Sequence, residues 1–378
     1  MTPSTTEQPI PLLNLSALHA PVADELRDAF ARVLASGQFI LGAEHDAFER
    51  ELAAACGVRH AVGLSSGTAA ITVGLQALGV GAGDDVVVPA FTYFATASGV
   101  VHAGARPVFA DVEPVRYGFD PAGLEAAITP ATKAIVPVHL YGLACDLAPV
   151  RAVAARRGIA ILEDAAQAIG AREGQDPVGG TTSGAALSFF PTKNLGALGD
   201  AGALLTNDDD VAARTRLLRV HGDAGNYRHT AWGTNARLDG LQAAFLRVKL
   251  RHLETWTERR RANAARYREV LSGAPISLPA EPAGCRHTYH QFTIRAPRRD
   301  ALQEALRASG IATRVYYPIP VPSQPLFAPE TYPPGRFPMA ETLSIEVLSL
   351  PIGPELGPAE IDRVGAAVRA FYGGGGAS

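Results

Sequence analysis

Between about residues 58 and 207 the chain alternates short, continuous apolar runs with alanine-rich stretches of helical character. No other feature constrains the fold as much. The runs include Asp85-Val86-Val87-Val88-Pro89, Pro107-Val108-Phe109-Ala110-Asp111, Ala134-Ile135-Val136-Pro137-Val138 and Ile159-Ala160-Ile161-Leu162-Glu163. Ala186-Leu187-Ser188-Phe189-Phe190 and Gly202-Ala203-Leu204-Leu205-Thr206 complete the set. Runs that are apolar at successive positions predict strands buried on both faces, and strands separated by helices pair mostly in parallel. The pattern therefore predicts an α/β large domain over residues 12–250, with a mostly parallel sheet flanked by helices. Ligands collect at the carboxyl ends of such strands. A long helical stretch, Leu238 to Leu271, leads into a smaller C-terminal α/β domain over residues 251–370. There His290–Ile294 and Thr313–Tyr316 predict strands and Asp300–Ser309 a helix. Pro318 to Pro334 is expected to be irregular, because proline removes donors and fixes φ. Residues 371–378, mostly glycine, are expected to be a disordered tail.

Of the 378 residues, 47% are hydrophobic and 19% charged, which suits a well-buried globular chain. The net charge is -3, and the Arg259-Arg260-Arg261 cluster lies beside Glu258 on a helical segment, so nucleic-acid binding is not expected. Three widely spaced cysteines, Cys56, Cys145 and Cys285, with no CxxC pair, support neither a disulfide framework nor a metal site. Met1 to Glu7 has no secretory pattern and no apolar run approaches a membrane span, so a cytoplasmic protein is expected.

Chemistry concentrates in two segments. Ser188-Phe189-Phe190-Pro191-Thr192-Lys193-Asn194-Leu195-Gly196 sets one lysine among apolar and small residues, and Ile161 to Gln167 places Asp164 at the end of a buried strand. Desolvation lowers an amine's pKa and frees its lone pair for carbonyl capture. A carbonyl-capturing lysine with an Asp for a pyridinium nitrogen is the pattern of pyridoxal phosphate enzymes. Val62 to Ala70 turns a strand into a helix through Ser65-Ser66-Gly67-Thr68. Alone this reads as an N-cap, but beside Lys193 and Asp164 it becomes a candidate phosphate cup. Ser188 could add a hydroxyl, and an aromatic from Phe91, Tyr93 and Phe94 could cover a planar ring. Gln167, about one turn past Asp164, could face the same ring.

Together, Ser-Ser-Gly-Thr, Thr-Tyr-Phe-Ala-Thr, Glu-Asp-Ala-Ala-Gln-Ala-Ile-Gly-Ala, Ser-Phe-Phe-Pro-Thr-Lys-Asn-Leu-Gly and Gly-Asp-Ala-Gly-Ala resemble the DegT/DnrJ/StrS aminotransferases, from about Leu12 to Ala370. The early run Ser36-Gly37-Gln38-Phe39-Ile40-Leu41-Gly42 fits as well. The resemblance implies fold type I and pyridoxal 5'-phosphate as cofactor. It implies Lys193 as the cofactor-anchoring lysine and Asp164 as partner of the pyridine nitrogen, and Gln167 at the ring's phenolic oxygen or its face. It assigns Ser66, Gly67, Thr68 and Ser188 to the phosphate and Tyr93 to the stacking aromatic. The Trp232–Asp239 segment matches a loop that crosses into a neighbouring subunit, so that Asn235 would bind the partner's cofactor phosphate in an obligatory homodimer.

The implied reaction amines a nucleotide-linked keto sugar, with L-glutamate as donor. Asn235-Ala236-Arg237-Leu238-Asp239 looks more like the form found in 3-keto-sugar enzymes than the Asn-Tyr-Arg-Met of C4-aminating members, which favours C3 of a dTDP- or UDP-linked 3-oxo sugar. Many relatives read His-Tyr-Pro and then a second His where this chain has Tyr316 and Pro322. Tyr316, Tyr317 and Arg237 are the candidate substrate residues. The alternatives are C4 amination by the same mechanism and a non-catalytic regulatory member. Lys193 argues against a sugar 3-dehydratase, which carries histidine there. Ser65-Ser66-Gly67-Thr68 in place of GxGxxG argues against a nicotinamide enzyme.

Overall fold

The structure, a computed structural model, describes residues 8–328 and 330–373. Seven strands form the main sheet: β1 (His60–Leu64), β2 (Asp85–Pro89), β3 (Arg106–Ala110), β4 (Thr132–Ile135), β5 (Ala160–Asp164), β6 (Gly184–Ser188) and β7 (Gly202–Thr206). Their order is β1-β7-β6-β5-β4-β2-β3. The pairs from β6 through β3 are parallel, as the apolar runs predict. β7 is antiparallel to both neighbours, β1 and β6. The segment joining β6 to β7 contains no helix, and without a crossover the strand returns antiparallel. That connection carries Lys193.

β2 is buried along its whole length, including Asp85. The Arg106 guanidinium on β3 grips the Asp85 carboxylate at 2.7 and 2.8 Å and Thr129 Oγ1 donates to it at 2.6 Å, so the polar end of a buried strand is satisfied.

The stretch expected as one helix from Leu238 to Leu271 is two, Gly240–Leu250 and Leu253–Val270. Ala243 and Leu246 of the first pack with Phe48, Leu52 and the β6–β7 side chains, whereas Ala264 and Tyr267 of the second enter the small-domain core. Two separate cores turn the chain at Arg251–His252. In the small domain β8 (Phe292–Arg295) pairs antiparallel with β9 (Val347–Leu350). The helix Arg299–Ala308 agrees with expectation. Thr313–Tyr316 is not a strand: only Arg314 bridges Ser349, and Pro318 and Pro320 follow too soon for the ladder to continue. Among the described residues, Pro318 to Pro334 is irregular apart from a single turn at Val321–Ser323. Ile10 bridges Ile311 and joins the small-domain core, so that described residue ahead of residue 12 belongs with that domain. The last helix runs Pro358–Gly373, which takes residues 371–373 out of the expected tail; Arg298 lies over Phe371 at 4.6 Å. The rest of that tail lies outside the described residues. The three cysteines are free, and no described helix is long and apolar enough to cross a membrane.

Candidate active site

Three chain segments deliver the site to one edge of the sheet. β5 ends on Asp164, β6 ends on Ser188, and the helix Gly67–Ala77 begins just past β1. They close around a cavity of about 500 Å³. Lys193, Asp164, Gln167 and Ser188 line it, as do Ser66, Gly67 and Thr68 of the helix start. Tyr93 comes from the end of β2, and Tyr316 and Tyr317 come across from the small domain.

The turn presenting Lys193 is closed by its own N–H donating to the Phe190 carbonyl at 2.8 Å. The next side chain, Asn194, tethers the turn to the small domain by donating to the Thr288 carbonyl at 2.9 Å. Burial lowers the Lys193 amine to about 8, with the Asp164 charge opposing. About a tenth of it is therefore neutral at pH 7, several hundred times the fraction for an ordinary lysine. The rate of aldehyde capture by the apoprotein is expected to climb about tenfold per pH unit up to about 8 and then level. Stopped-flow absorbance with pyridoxal phosphate measures this; a rate still rising steeply through pH 9 and 10 would mean an unperturbed amine.

Asp164 is 5% exposed. Its Oδ2 accepts from Thr96 Oγ1 at 2.7 Å and its Oδ1 from the Ala166 N–H at 3.1 Å. Burial raises its carboxyl above the usual range, opposed by these two donors and by Lys193. Thr96 Oγ1 lies 3.0 Å from Thr92 Oγ1, so a hydroxyl chain orients the carboxylate. Glu163, one residue earlier on β5, faces the other side of the sheet. There it is fully buried against His139 Nε2 at 2.7 Å and accepts from the Gly179 N–H at 2.8 Å, which pins the strand end behind Asp164.

The candidate phosphate cup is built by close backbone approach. A Cβ on Gly202 would sit 2.3 Å from the Ser66 carbonyl carbon, and one on Gly67 would sit 2.7 Å from the Ser188 Cβ. Only glycine allows β6 and β7 to abut the helix start so tightly. Ser66 Oγ accepts from the Ala69 N–H at 3.1 Å and is the helix N-cap. The first-turn N–H groups of Gly67 and Thr68 have no acceptor within the helix, and with the Thr68 and Ser188 hydroxyls they make an anion-seeking donor set at the positive helix end.

The Gln167 amide makes two bonds within the protein: its Oε1 accepts from the Tyr141 N–H at 2.7 Å and its Nε2 donates to the Tyr317 hydroxyl at 3.0 Å. Tyr317 in turn packs 5.7 Å from the Tyr93 ring. Tyr93 itself, which lines the cavity, is 57% exposed.

Asn235 and Arg237 do not line this cavity. Asn235 borders a separate cleft of about 470 Å³ with Trp232, Ser66 and Thr68. Arg237 bridges Leu64, its Nε buried without a partner. Conversely, Thr96, His290 and Arg314 belong to the site and are not among the residues the sequence singled out. Thr96 lies within the Thr92–Ala97 run, and His290 is a polar residue opening an apolar strand pattern, so each left a faint signal.

The DegT/DnrJ/EryC1/StrS aminotransferase family matches residues 22–369, and the chain belongs to that family. It is 48% identical over 362 residues to the erythromycin biosynthesis sensory transduction protein EryC1 of Saccharopolyspora erythraea, covering 96% of this chain and 99% of that one. It is 45% identical over 365 residues to the UDP-N-acetyl-3-dehydro-alpha-D-glucosamine 3-aminotransferase of Acidithiobacillus ferrooxidans, covering 97% and 98%. The crystal structure of Streptomyces venezuelae DesV with a ketimine intermediate superposes with a TM-score of 0.94 at 45% identity, over 96% of this chain and 98% of that one.

Proposed function

We propose that this enzyme uses pyridoxal 5'-phosphate to transfer the amino group of L-glutamate to C3 of a UDP- or dTDP-linked 3-oxo sugar, as a cytoplasmic homodimer. The observation that carries the chemistry is the placement of Lys193 and Asp164 in one cavity with the donor-rich helix start. These residues fit the cofactor. The N–H groups of Gly67 and Thr68 and the hydroxyls of Thr68 and Ser188 suit its phosphate, Asp164 its ring nitrogen, and Tyr93 its ring face. When bound, the cofactor supplies an electron sink for charge left on the donor's α-carbon. Lys193 anchors it at rest, and once displaced by the donor its amine takes the α-carbon proton. In the second half it delivers a proton to the sugar carbon that receives nitrogen. Thr96 keeps Asp164 aimed, and Gln167 holds the Tyr317 wall that excludes water.

The C3 reading is supported by the Asn235-Ala236-Arg237-Leu238-Asp239 pattern and by the Acidithiobacillus relative, whose name specifies a 3-dehydro sugar. A panel of UDP- and dTDP-linked 3-oxo and 4-oxo sugars with glutamate tests it; turnover of 4-oxo sugars alone overturns it. Intact Lys193 and Asp164 weigh against a purely regulatory protein.

The homodimer reading is supported by the exposed loop that carries Asn235, where Trp232 is 99% and Tyr227 91% exposed. Exposed aromatics on such a loop are suited to docking against a second copy. If Asn235 of the partner subunit completes each site, Lys193→Ala and Asn235→Ala variants, each inactive alone, regain activity when unfolded and refolded together. One of the two sites in a mixed dimer is then intact. No recovery beyond the sum of the two parents places Asn235 with its own chain.

A further inference from the structure

An amino donor brings a carboxylate into the cavity along with its amine, and the wall offers few groups to receive it. Lys193, His290 and Arg314 are the basic side chains that line it. The Lys193 amine is the reacting group. His290 is 6% exposed, and burial, with Lys193 and Arg260 nearby, holds its imidazole well below the ordinary value and therefore neutral. Arg314 remains, and its guanidinium has no hydrogen-bond or ion-pair partner among the described residues. Its backbone is fixed: its N–H donates to the Ser349 carbonyl at 3.2 Å and its carbonyl accepts from the Ser349 N–H at 2.8 Å. Three residues on, Tyr317 is tied to Gln167, so the Arg314–Tyr317 strap is anchored at both ends. Tyr316 lines the same wall, close enough for the Arg314 charge to oppose the upward push of burial on its phenol.

We propose that Arg314, with Tyr316 on the same wall, forms a carboxylate-binding subsite of this cavity. A planar guanidinium matches a planar carboxylate with two parallel hydrogen bonds, which a lysine cannot do. The subsite rests on the transamination reading above, because glutamate, the donor proposed there, carries carboxylates. Its carboxylate is that of the amino donor or, where the substrate is a uronic acid, that of the sugar.

Half-reactions of the cofactor-loaded enzyme, followed by absorbance, separate these sources. One arm converts the enzyme with L-glutamate. The other two convert the aminated enzyme with a neutral 3-oxo sugar nucleotide or with a 3-oxo glucuronate nucleotide. Arg314→Gln is expected to raise half-saturation by roughly 10- to 100-fold in the glutamate arm, the uronate arm or both. Arg314→Lys should restore part of the loss, and Tyr316→Phe should produce a smaller rise in the same arm. A rise confined to the glutamate arm assigns the subsite to the donor, and one confined to the uronate arm assigns it to the sugar. An equal rise with the neutral sugar means that Arg314 holds the diphosphate, and no rise in any arm means that it binds nothing; either result overturns the proposal. Wild-type enzyme unresponsive to every substrate would instead sink the transamination reading, and this proposal would fall with it.

Discussion

Lys193→Ala is expected to lower kcat/KM by at least about ten-thousand-fold, because one side chain performs two separable tasks. In the proposed reaction it anchors the cofactor at rest, and its amine moves the proton at the donor's α-carbon. Neighbours cannot substitute. His290 is held neutral but sits under burial that makes it a poor base, and Asp164 is engaged by Thr96 and Ala166. Phosphate binding should survive, since Gly67, Thr68 and Ser188 are untouched, so the variant is expected to retain the cofactor by affinity, while borohydride reduction should no longer fix it covalently to the chain. Small primary amines added to the variant should restore a measurable fraction of the proton-transfer rate. A variant that borohydride still labels covalently with the cofactor, or that loses less than about tenfold in rate, would remove Lys193 from the chemistry.

The parts of this site that were legible in the sequence are those a single segment encodes. β2 and β7 begin and end where their apolar runs do, since a strand buried on both faces leaves little choice of pattern. Asp164 ends such a strand, and Lys193 and the Ser66–Thr68 turn each follow one within a few residues, so their neighbours announced them. The unread parts are tertiary. Nothing in Lys249-Leu250-Arg251-His252-Leu253-Glu254 breaks a helix; two cores pulling on two faces do. Arg314 and His290 reach the cavity only because the small domain folds back over it, and Thr96 matters only because Asp164 lies 2.7 Å away across 68 residues of sequence. Asn235 and Arg237 stand outside the cavity of their own chain, which is where a residue reaching a second copy would have to be.

Asp164→Asn is expected to separate function from stability by moving them in opposite directions. Catalysis should fall by roughly a hundred- to a thousand-fold, since a neutral amide cannot hold a protonated pyridine nitrogen as a carboxylate does. The apoprotein should become more stable at neutral pH. Burial raises the folded carboxyl above its unfolded value, so the folded state binds the proton more tightly and loses stability as pH rises from the unfolded toward the folded pKa. Above both values the full cost of a buried charge remains, and asparagine removes it. The amide can also satisfy the surroundings: its oxygen accepts from the Ala166 N–H while its NH2 donates to Thr96, whose hydroxyl turns toward Thr92. Thermal unfolding at several pH values, with and without pyridoxal phosphate, reads the balance. The variant's advantage should be largest near pH 7, shrink in acid where the wild-type carboxyl is protonated, and reverse when cofactor is added, because only the carboxylate gains an ion pair with the ring. An apo variant less stable than wild type at every pH would make Asp164 a structural carboxylate, held in place for the sake of Thr96 and Ala166 rather than for a ring nitrogen.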